Sequence, residues 1–324
     1  LLVAGGGGGG DDNSAGGAGG GTSGIDGLTN TQWNGRPGKG ATQTAGGCAT
    51  GQTTTSTYSA SCGVFGKGGA GTNARQVLAT RLAAGDTPES WQSHPGGDLK
   101  GYVDQSAALD LTSLYKSEGW SKVVPKALQD SMSYNGKVYS VLTGIHRANT
   151  LWYNKAALRK AGVTLPAVVT FADLSAAAAK LQAKKIAPLC LGDKDIWTAA
   201  QLLEETLVGE VGAATFNNLV AGKASWSDAK VQTAISHFNT MLTWANSDHK
   251  ALDWTGAVAA LANGTCAFNV MGDWAYGELQ VKQGKKDGVD FGYAVIGDPK
   301  VFVTVGDSFV IGAKAANKAG AEAF

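Results

Sequence analysis

The segment TCAFNVMGDWAYG, residues 265–277, is the most informative stretch of the chain. Its apolar run Cys266–Met271 stops at Gly272, a pattern typical of a buried β-strand. Asp273 and Trp274 follow directly. In open α/β sheets, ligands bind beyond the carboxyl ends of the strands. The segment therefore predicts a strand that carries an acidic and an aromatic side chain into a binding site.

An aspartate beside a tryptophan is well suited to carbohydrate. The carboxylate accepts hydrogen bonds from hydroxyl groups, and the indole face covers the C–H face of a pyranose. In the alternative interpretation, Trp274 packs in the core and Asp273 caps a helix. The segment by itself is compatible with both roles.

Composition excludes several classes of protein. The 324 residues are enough for two domains, and 27 basic against 26 acidic side chains provide no attraction to nucleic acid. No apolar stretch reaches the roughly 18–20 residues that span a bilayer. The four cysteines show no C-x-x-C spacing, and no H-x-x-x-H pair occurs. We therefore expect no metal, no other cofactor and no nucleic-acid partner.

The amino-terminal region differs from the rest of the chain. Residues 1–24 are mostly Gly, Ala and Ser, a composition that buries too little apolar area to fold, and we interpret them as a tether. The first residues, LLVAG, resemble the end of a bacterial lipoprotein signal peptide, with Gly6 in the place of the lipid-bearing cysteine. A lipid anchor would then belong to the native precursor.

From Thr72 onward, the pattern alternates between strands and helices. This alternation predicts a mostly parallel sheet flanked by helices. The Asn135-Gly136 pair predicts a tight turn, SWQSHPGG at 90–97 a loop, and GDSF at 306–309 a corner. We predict strands at 137–142, 150–154, 186–191, 266–271, 291–296 and 302–305, and helices at 73–84, 155–160, 171–184, 198–208, 228–245, 257–262 and 317–324.

Five segments together carry a family resemblance: 73–104, 134–158, 187–194, 245–278 and 305–311. They include WQSHPGGD, NGKVYSVLTGIHRANTLWYNK, APLCLGDK, LDWTGAVAALANGTCAFNVMGDWAYGE and VGDSFVI. In combination, the chain resembles the sugar-binding subfamily of extracellular solute-binding proteins that supply ABC importers. It looks most like the glucose- and mannose-type proteins and more distantly like the maltose-binding protein.

The resemblance implies an α/β, two-lobe periplasmic-binding-protein-like fold of the maltose-binding-protein type, with a ligand cleft between the lobes. Lobe I would comprise 25–148 plus 295–324, and lobe II 149–294. The family's final segment, which returns to lobe II, is expected to be missing after Phe324. The protein would be a monomer without enzymatic activity, located outside the cytoplasm in the periplasm or at the cell surface.

The resemblance also implies the ligand-binding residues. Asp98 has an alternative role as an acid at the start of a helix, and Trp254 an alternative role in the core. The family's ligand positions correspond to Trp33, Gln92, His94, Asp98, Trp254, Trp274 and Asp307. Further candidates near the cleft are His146, Asp195, Trp197 and Asp273.

The function implied by the resemblance is capture of a neutral monosaccharide, glucose or a close epimer such as galactose or mannose, for delivery to an ABC transporter permease. One alternative is a receptor for a disaccharide or oligosaccharide. Another is an extracellular glycoside hydrolase, which needs two carboxylates roughly 5–10 Å apart, such as Asp193 with Asp195 or Asp273 with Asp307. In an exported protein, Cys190 and Cys266 would form a disulfide if their strands are neighbours.

Overall fold

The computed structural model describes residues 71–324, with side chains from Val77 onward. The predicted tether 1–24, the first part of predicted lobe I and Trp33 lie outside the described residues. The chain divides into two compact units, Leu1–Thr87 and Pro88–Phe324. In the first unit the structure describes helix α1 (Gly71–Ala83), which corresponds to the predicted helix 73–84, and the residues that follow it.

The second unit contains all the strands of the described chain. They are β1 (Ser90–Ser93), β2 (Ser133–Tyr134), β3 (Lys137–Val138), β4 (Val141–Arg147), β5 (Leu151–Asn154), β6 (Ala187–Leu189), β7 (Cys266–Val270), β8 (Phe291–Ala294) and β9 (Thr304–Ile311). Its helices are α2 (Gly97–Asp104), α3 (Thr112–Ser117), α4 (Lys126–Ser131), α5 (Lys155–Ala161), α6 (Phe171–Ala183), α7 (Trp197–Val220), α8 (Ala229–Leu242), α9 (Trp254–Asn263), α10 (Ala275–Gly277) and α11 (Lys318–Ala323). A 3-10 turn lies at Trp120–Lys122 and a π-helical turn at Glu278–Lys282.

The first sheet is antiparallel, in the order β1-β9-β4. Gln92 pairs with Phe309 on one side of β9, and Gly144 pairs with Asp307 on the other. A register shift between Leu142 and Gly144 interrupts the β4–β9 ladder. Strand β9 therefore lies between two strands that each bring polar side chains toward its centre.

The second sheet has the order β6-β7-β5-β8. Only β6 and β7 run parallel; β5 is antiparallel to both β7 and β8. The predicted mostly parallel sheet is therefore wrong. Periodicity locates strands, but tertiary packing chooses their neighbours, and here β5 lies between two strands that are more than a hundred residues away in sequence.

The main core covers the second sheet. All five residues of β7 are buried, and Leu158 of α5 packs with Leu174 and Leu181 of α6 in the same cluster as Leu189. Helix α6 begins with a capping box, in which Thr170 Oγ1 accepts from the Asp173 N–H at 3.3 Å. The Asp173 carboxylate in turn accepts from the Thr170 N–H at 2.9 Å, which satisfies two helix-end donors.

Local turn chemistry explains one confirmed prediction and two errors. Asn135 and Gly136 both have positive φ and join β2 to β3 as the predicted turn. The predicted loop at 90–97 instead begins with β1, a strand too short to recognise beside Pro95. The predicted corner at 306–309 lies inside β9, where a Cβ on Gly306 would meet Pro95 Cγ at 3.2 Å. At this position glycine lets Pro95 lie close to the backbone of β9, and the strand does not turn there.

Candidate ligand-binding site

Strands β1 and β9 bring three of the predicted ligand residues together. Gln92 Nε2 donates to Asp307 Oδ1 at 2.8 Å, although the two residues are 215 positions apart. The His94 ring lies beside them: Nδ1 is 3.0 Å from the Gly306 carbonyl oxygen and 3.5 Å from Asp307 Oδ1. Asp307 is therefore an acceptor held from the β1 side by an amide donor.

On the other side of Asp307, β4 contributes His146. Its Nε2 is 3.1 Å from Asp307 Oδ2, and its Nδ1 is 2.8 Å from Asp273 Oδ1. The hydrogen bond to Asp307 is the main reason that the pKa of His146 is raised to about 9, against an opposing effect of burial. The same bond is the main cause of the lowered pKa of Asp307.

The Asp273-Trp274 pair follows β7 and connects the second sheet to this cluster. The Asp273 N–H donates to the Arg147 carbonyl oxygen at 2.9 Å, and Asp273 Oδ2 accepts from the Arg147 N–H at 3.0 Å. Trp274 contacts the His146 ring edge to face, with centroids 5.6 Å apart. A Cβ on Gly272 would lie 2.2 Å from the indole, so the ring passes directly over that glycine. Asp273 thus positions a half-buried Trp274 beside the carboxylates.

Trp197 forms a second aromatic surface near the cluster. It begins α7, has 39% of its surface exposed, and its ring centroid is 6.3 Å from that of Trp274 at an interplanar angle of 57°. Asp195 lies two residues earlier, and its carbonyl oxygen accepts from the Trp197 N–H. The loop before α7 therefore brings an indole to Trp274.

Asp98 and Trp254 have structural contacts that match their alternative interpretations. Asp98 Oδ2 accepts from the His94 N–H at 3.2 Å and lies in the first turn of α2. Trp254 is the first residue of α9 and packs, half-buried, against the same apolar cluster as Trp274. Among the described residues, Trp254 makes no ring contact with Trp274 or Trp197. The assignment of Asp98 and Trp254 as ligand-binding residues stays a prediction.

Asn149, which the sequence did not identify, joins the β4–β5 connection to the β8–β9 connection. Asn149 Nδ2 donates to the Val301 carbonyl oxygen at 3.0 Å, and its Oδ1 accepts from the Val303 N–H at 2.9 Å. The Arg147 guanidinium donates to the Pro299 and Val301 carbonyl oxygens. No sequence signal identifies these partners, because they are backbone groups, which nearly every residue type has. They lie 152 and 154 residues away along the chain.

Strands β6 and β7 also bring together the two cysteines considered for a disulfide. The Cys190 and Cys266 sulfurs are bonded, with Cα atoms 5.4 Å apart. Cys190 is buried and immediately precedes the loop that leads to Asp195 and Trp197. The bond therefore ties the start of that loop to β7.

The described part of the chain contains no cluster of three or more His, Cys, Asp or Glu side chains arranged to hold a metal ion. Nor does any of its helices combine the length and apolar character needed to cross a membrane. The arrangement at Asp307 instead offers carboxylate acceptors, an amide, imidazoles and an indole, the groups that bind polyhydroxyl compounds.

Residues 64–324 match the family of bacterial extracellular solute-binding proteins. The chain belongs to this family. Membership places it outside the cytoplasm. A curated relative from Pyrococcus horikoshii, an uncharacterised ABC transporter extracellular-binding protein, is 34% identical over 250 residues, covering 77% of this chain and 56% of the relative.

A second curated relative is a probable sugar-binding periplasmic protein of Brucella melitensis. It is 33% identical over 227 residues, which are 69% of this chain and 52% of the relative. The chain thus spans about half the length of the curated relatives it matches.

A solved structure shows the same fold at lower sequence identity. It comes from work on xylan utilization by the thermophilic bacterium Caldanaerobius polysaccharolyticus and superposes with a TM-score of 0.68 at 21% identity. The match covers 77% of this chain and 65% of that protein. The fold is the two-lobe α/β fold of solute-binding proteins.

Proposed function

We propose that the protein is a receptor that binds a neutral monosaccharide, glucose or a close epimer such as galactose or mannose. It acts as a monomer, without a cofactor, and delivers the sugar to an ABC transporter permease. The site lies in the cleft between lobe I (25–148 plus 295–324) and lobe II (149–294). The observation that carries the proposal is the convergence of Gln92, His94 and His146 on the Asp307 carboxylate beside Trp274.

The chemistry of these groups suits sugar hydroxyls. Each carboxylate oxygen has two acceptor sites, so Asp307 keeps acceptor capacity after its bonds from Gln92 and His146. His94 Nε2 has no hydrogen-bond partner among the described residues and offers a further polar atom. A wrong epimer leaves such a group unpaired, at a cost of about 1–3 kcal/mol for each.

The names of more distant relatives support a small sugar. A glucose-binding protein of Saccharolobus solfataricus is 25% identical over 217 residues. A xylose/arabinose-binding protein of Haloferax volcanii is 25% identical over 211 residues. Both names specify monosaccharides, and the first agrees with the glucose-type resemblance.

Two alternatives predict different results. Trp197, exposed beside Trp274, favours a disaccharide or oligosaccharide receptor, since two aromatic surfaces can each support one ring. A glycoside hydrolase needs a carboxylic acid that keeps its proton near neutral pH. The lowered pKa of Asp307 opposes that acid role for Asp307 itself. From membership in a family of solute-binding proteins, we infer that the protein has no catalytic activity.

Calorimetric titration at neutral pH tests the proposal directly. Glucose, galactose, mannose and maltose are each titrated into the full chain, and binding of at least one of the first three is expected. Heat with maltose alone would contradict a monosaccharide receptor and support a disaccharide receptor. Incubation with chromogenic glycosides completes the test, because any turnover would contradict a receptor role.

A further inference from the structure

His146 connects two carboxylates that come from different sheets. Asp307 lies within β9 of the first sheet, and Asp273 follows β7 of the second. The two imidazole nitrogens are 3.1 Å and 2.8 Å from oxygens of these two carboxylates. An ionised carboxylate only accepts hydrogen bonds, so each ring nitrogen must carry a hydrogen to bond it. The geometry therefore requires an imidazolium.

The same geometry leaves His146 nothing to offer a ligand. Its two N–H groups both donate to protein oxygens, and an imidazolium has no acceptor. The ring also packs against Trp274, which stands edge to face with its centroid 5.6 Å away, and a Cβ added at Gly144 would lie only 3.2 Å from Nε2. His146 consequently has a fixed orientation.

The charges around His146 do not balance. Asp273 and Asp307 contribute two negative charges against one imidazolium, and His94 faces Asp307 at 3.5 Å. Arg147, the next residue in the chain, directs its guanidinium to the carbonyl oxygens of Pro299 and Val301 instead. Without the proton on His146, two carboxylates would face each other with no cation between them, and they would repel.

We propose that His146 is a positioning residue that holds Asp273 and Asp307 in place for the sugar as a doubly hydrogen-bonded imidazolium, without contacting the sugar itself. The inference rests on the proposed function for its ligand. It also specifies the ligand class, because two carboxylates face one imidazolium and the free carboxylate lone pairs are acceptors. Sugars with uncharged hydroxyl donors are favoured, and uronic acids are rejected.

The His146 imidazolium gives sugar binding a pH dependence with a defined sign. The raised pKa of His146, about 9, means that this clamp, the imidazolium hydrogen-bonded to Asp273 and Asp307, is intact near neutral pH and is lost as pH rises through about 9. Sugar affinity should therefore be constant near neutral pH and fall in alkaline solution.

The first experiment needs no sugar. NMR titration of the imidazole nitrogens in the full, ligand-free chain should show His146 doubly protonated at neutral pH and titrating near pH 9. His237, which faces the single carboxylate of Glu210 at 2.7 Å, is the internal comparison. A neutral His146 at pH 7.5, with a midpoint near 6.5, would overturn the clamp.

The second experiment measures glucose affinity by calorimetry for the wild type, His146→Gln and the control His237→Gln. We expect His146→Gln to bind glucose about tenfold more weakly at neutral pH, because losing one charged hydrogen bond costs about 1.4 kcal/mol, which is a factor of ten in affinity. We also expect its glucose affinity to show no decline in alkaline solution. Wild-type affinity and pH profile in His146→Gln would overturn the proposal. If the wild type binds none of the sugars, the proposed function fails, and the titration still decides the clamp.

Discussion

The two sheets of the second unit differ in what they contribute. Strand β7 of the second sheet is buried along its whole length, whereas β4 of the first sheet has no buried residue and leaves Ile145 47% exposed. The first sheet instead holds His146 and Asp307, and Gln92 at its edge. The second sheet thus supplies a fully buried strand, whereas the first sheet, which also buries Val310 and Ile311, supplies the polar groups of the cluster. Stability and ligand chemistry should be separable by mutation.

Core truncation in the second sheet should cause the largest effect. Leu189→Ala in β6 removes a side chain that is 1% exposed and should lower the free energy of unfolding by about 2–5 kcal/mol. The matched change in the first sheet, Ile145→Ala, should alter it by about 0.5 kcal/mol or less, because that residue is already exposed. Urea unfolding of both variants measures the difference. Equal losses would show that the two sheets are equivalent in stability.

Glu205 tests the packing of helix α7 against the chain that follows β8. Its carboxyl is 1% exposed, accepts from the Ile296 N–H at 3.1 Å, and has a pKa raised by burial to about 7 from 4.5. The folded state then binds the proton more tightly than the unfolded state. Stability should therefore fall as pH rises from about 4.5 to about 7, by at most about 3 kcal/mol.

Glu205→Gln should lose this pH slope, which urea unfolding at pH 5 and pH 8 would measure. Glu118→Gln, a change at an exposed glutamate, is the control and should keep the wild-type slope. A slope that survives in Glu205→Gln would assign the pH dependence to other groups.

Asp307→Asn should separate binding from stability in the first sheet. It removes the charge from the acceptor shared by Gln92 and His146 and should weaken sugar binding about 10–100-fold. Calorimetry gives the affinity, with Asp287→Asn, at an exposed acid of the same charge, as the control. Unchanged affinity in Asp307→Asn would move the ligand site away from the first sheet.

A smaller loss of sugar binding than that of Asp307→Asn is expected where the second sheet reaches the site. Gly272→Ala places a Cβ at 2.2 Å from the Trp274 indole, so the ring must move, and we expect about tenfold weaker sugar binding. Gly277→Ala, five residues on, meets nothing within 4 Å and serves as the matched control. If both variants bind equally well, Trp274 is a core residue, as the alternative interpretation holds.

The sequence predicted the local features of this site more reliably than its assembly. The strand at β7, the glycine after it and the Asp273-Trp274 pair were all visible, because burial and turn chemistry act over a few residues. The short strand β1 was not, since four residues with Pro95 close behind carry too little periodic signal. The prediction of a parallel sheet was wrong for a related reason. The alternation of helices and strands does not specify that β5 lies between β7 and β8, antiparallel to both.

The amino-acid sequence by itself determined which residue types are available and where most of the strands and helices lie. It also determined the family, through segments distributed along the chain. Only the tertiary structure decided that His146 lies between Asp273 and Asp307. It also decided that Asn149 joins the β4–β5 connection to the β8–β9 connection. Asp273 is 127 residues from His146, and the Val301 oxygen 152 residues from Asn149. The geometry of a hydrogen bond is fixed within tenths of an ångström, and no local pattern encodes it across such separations.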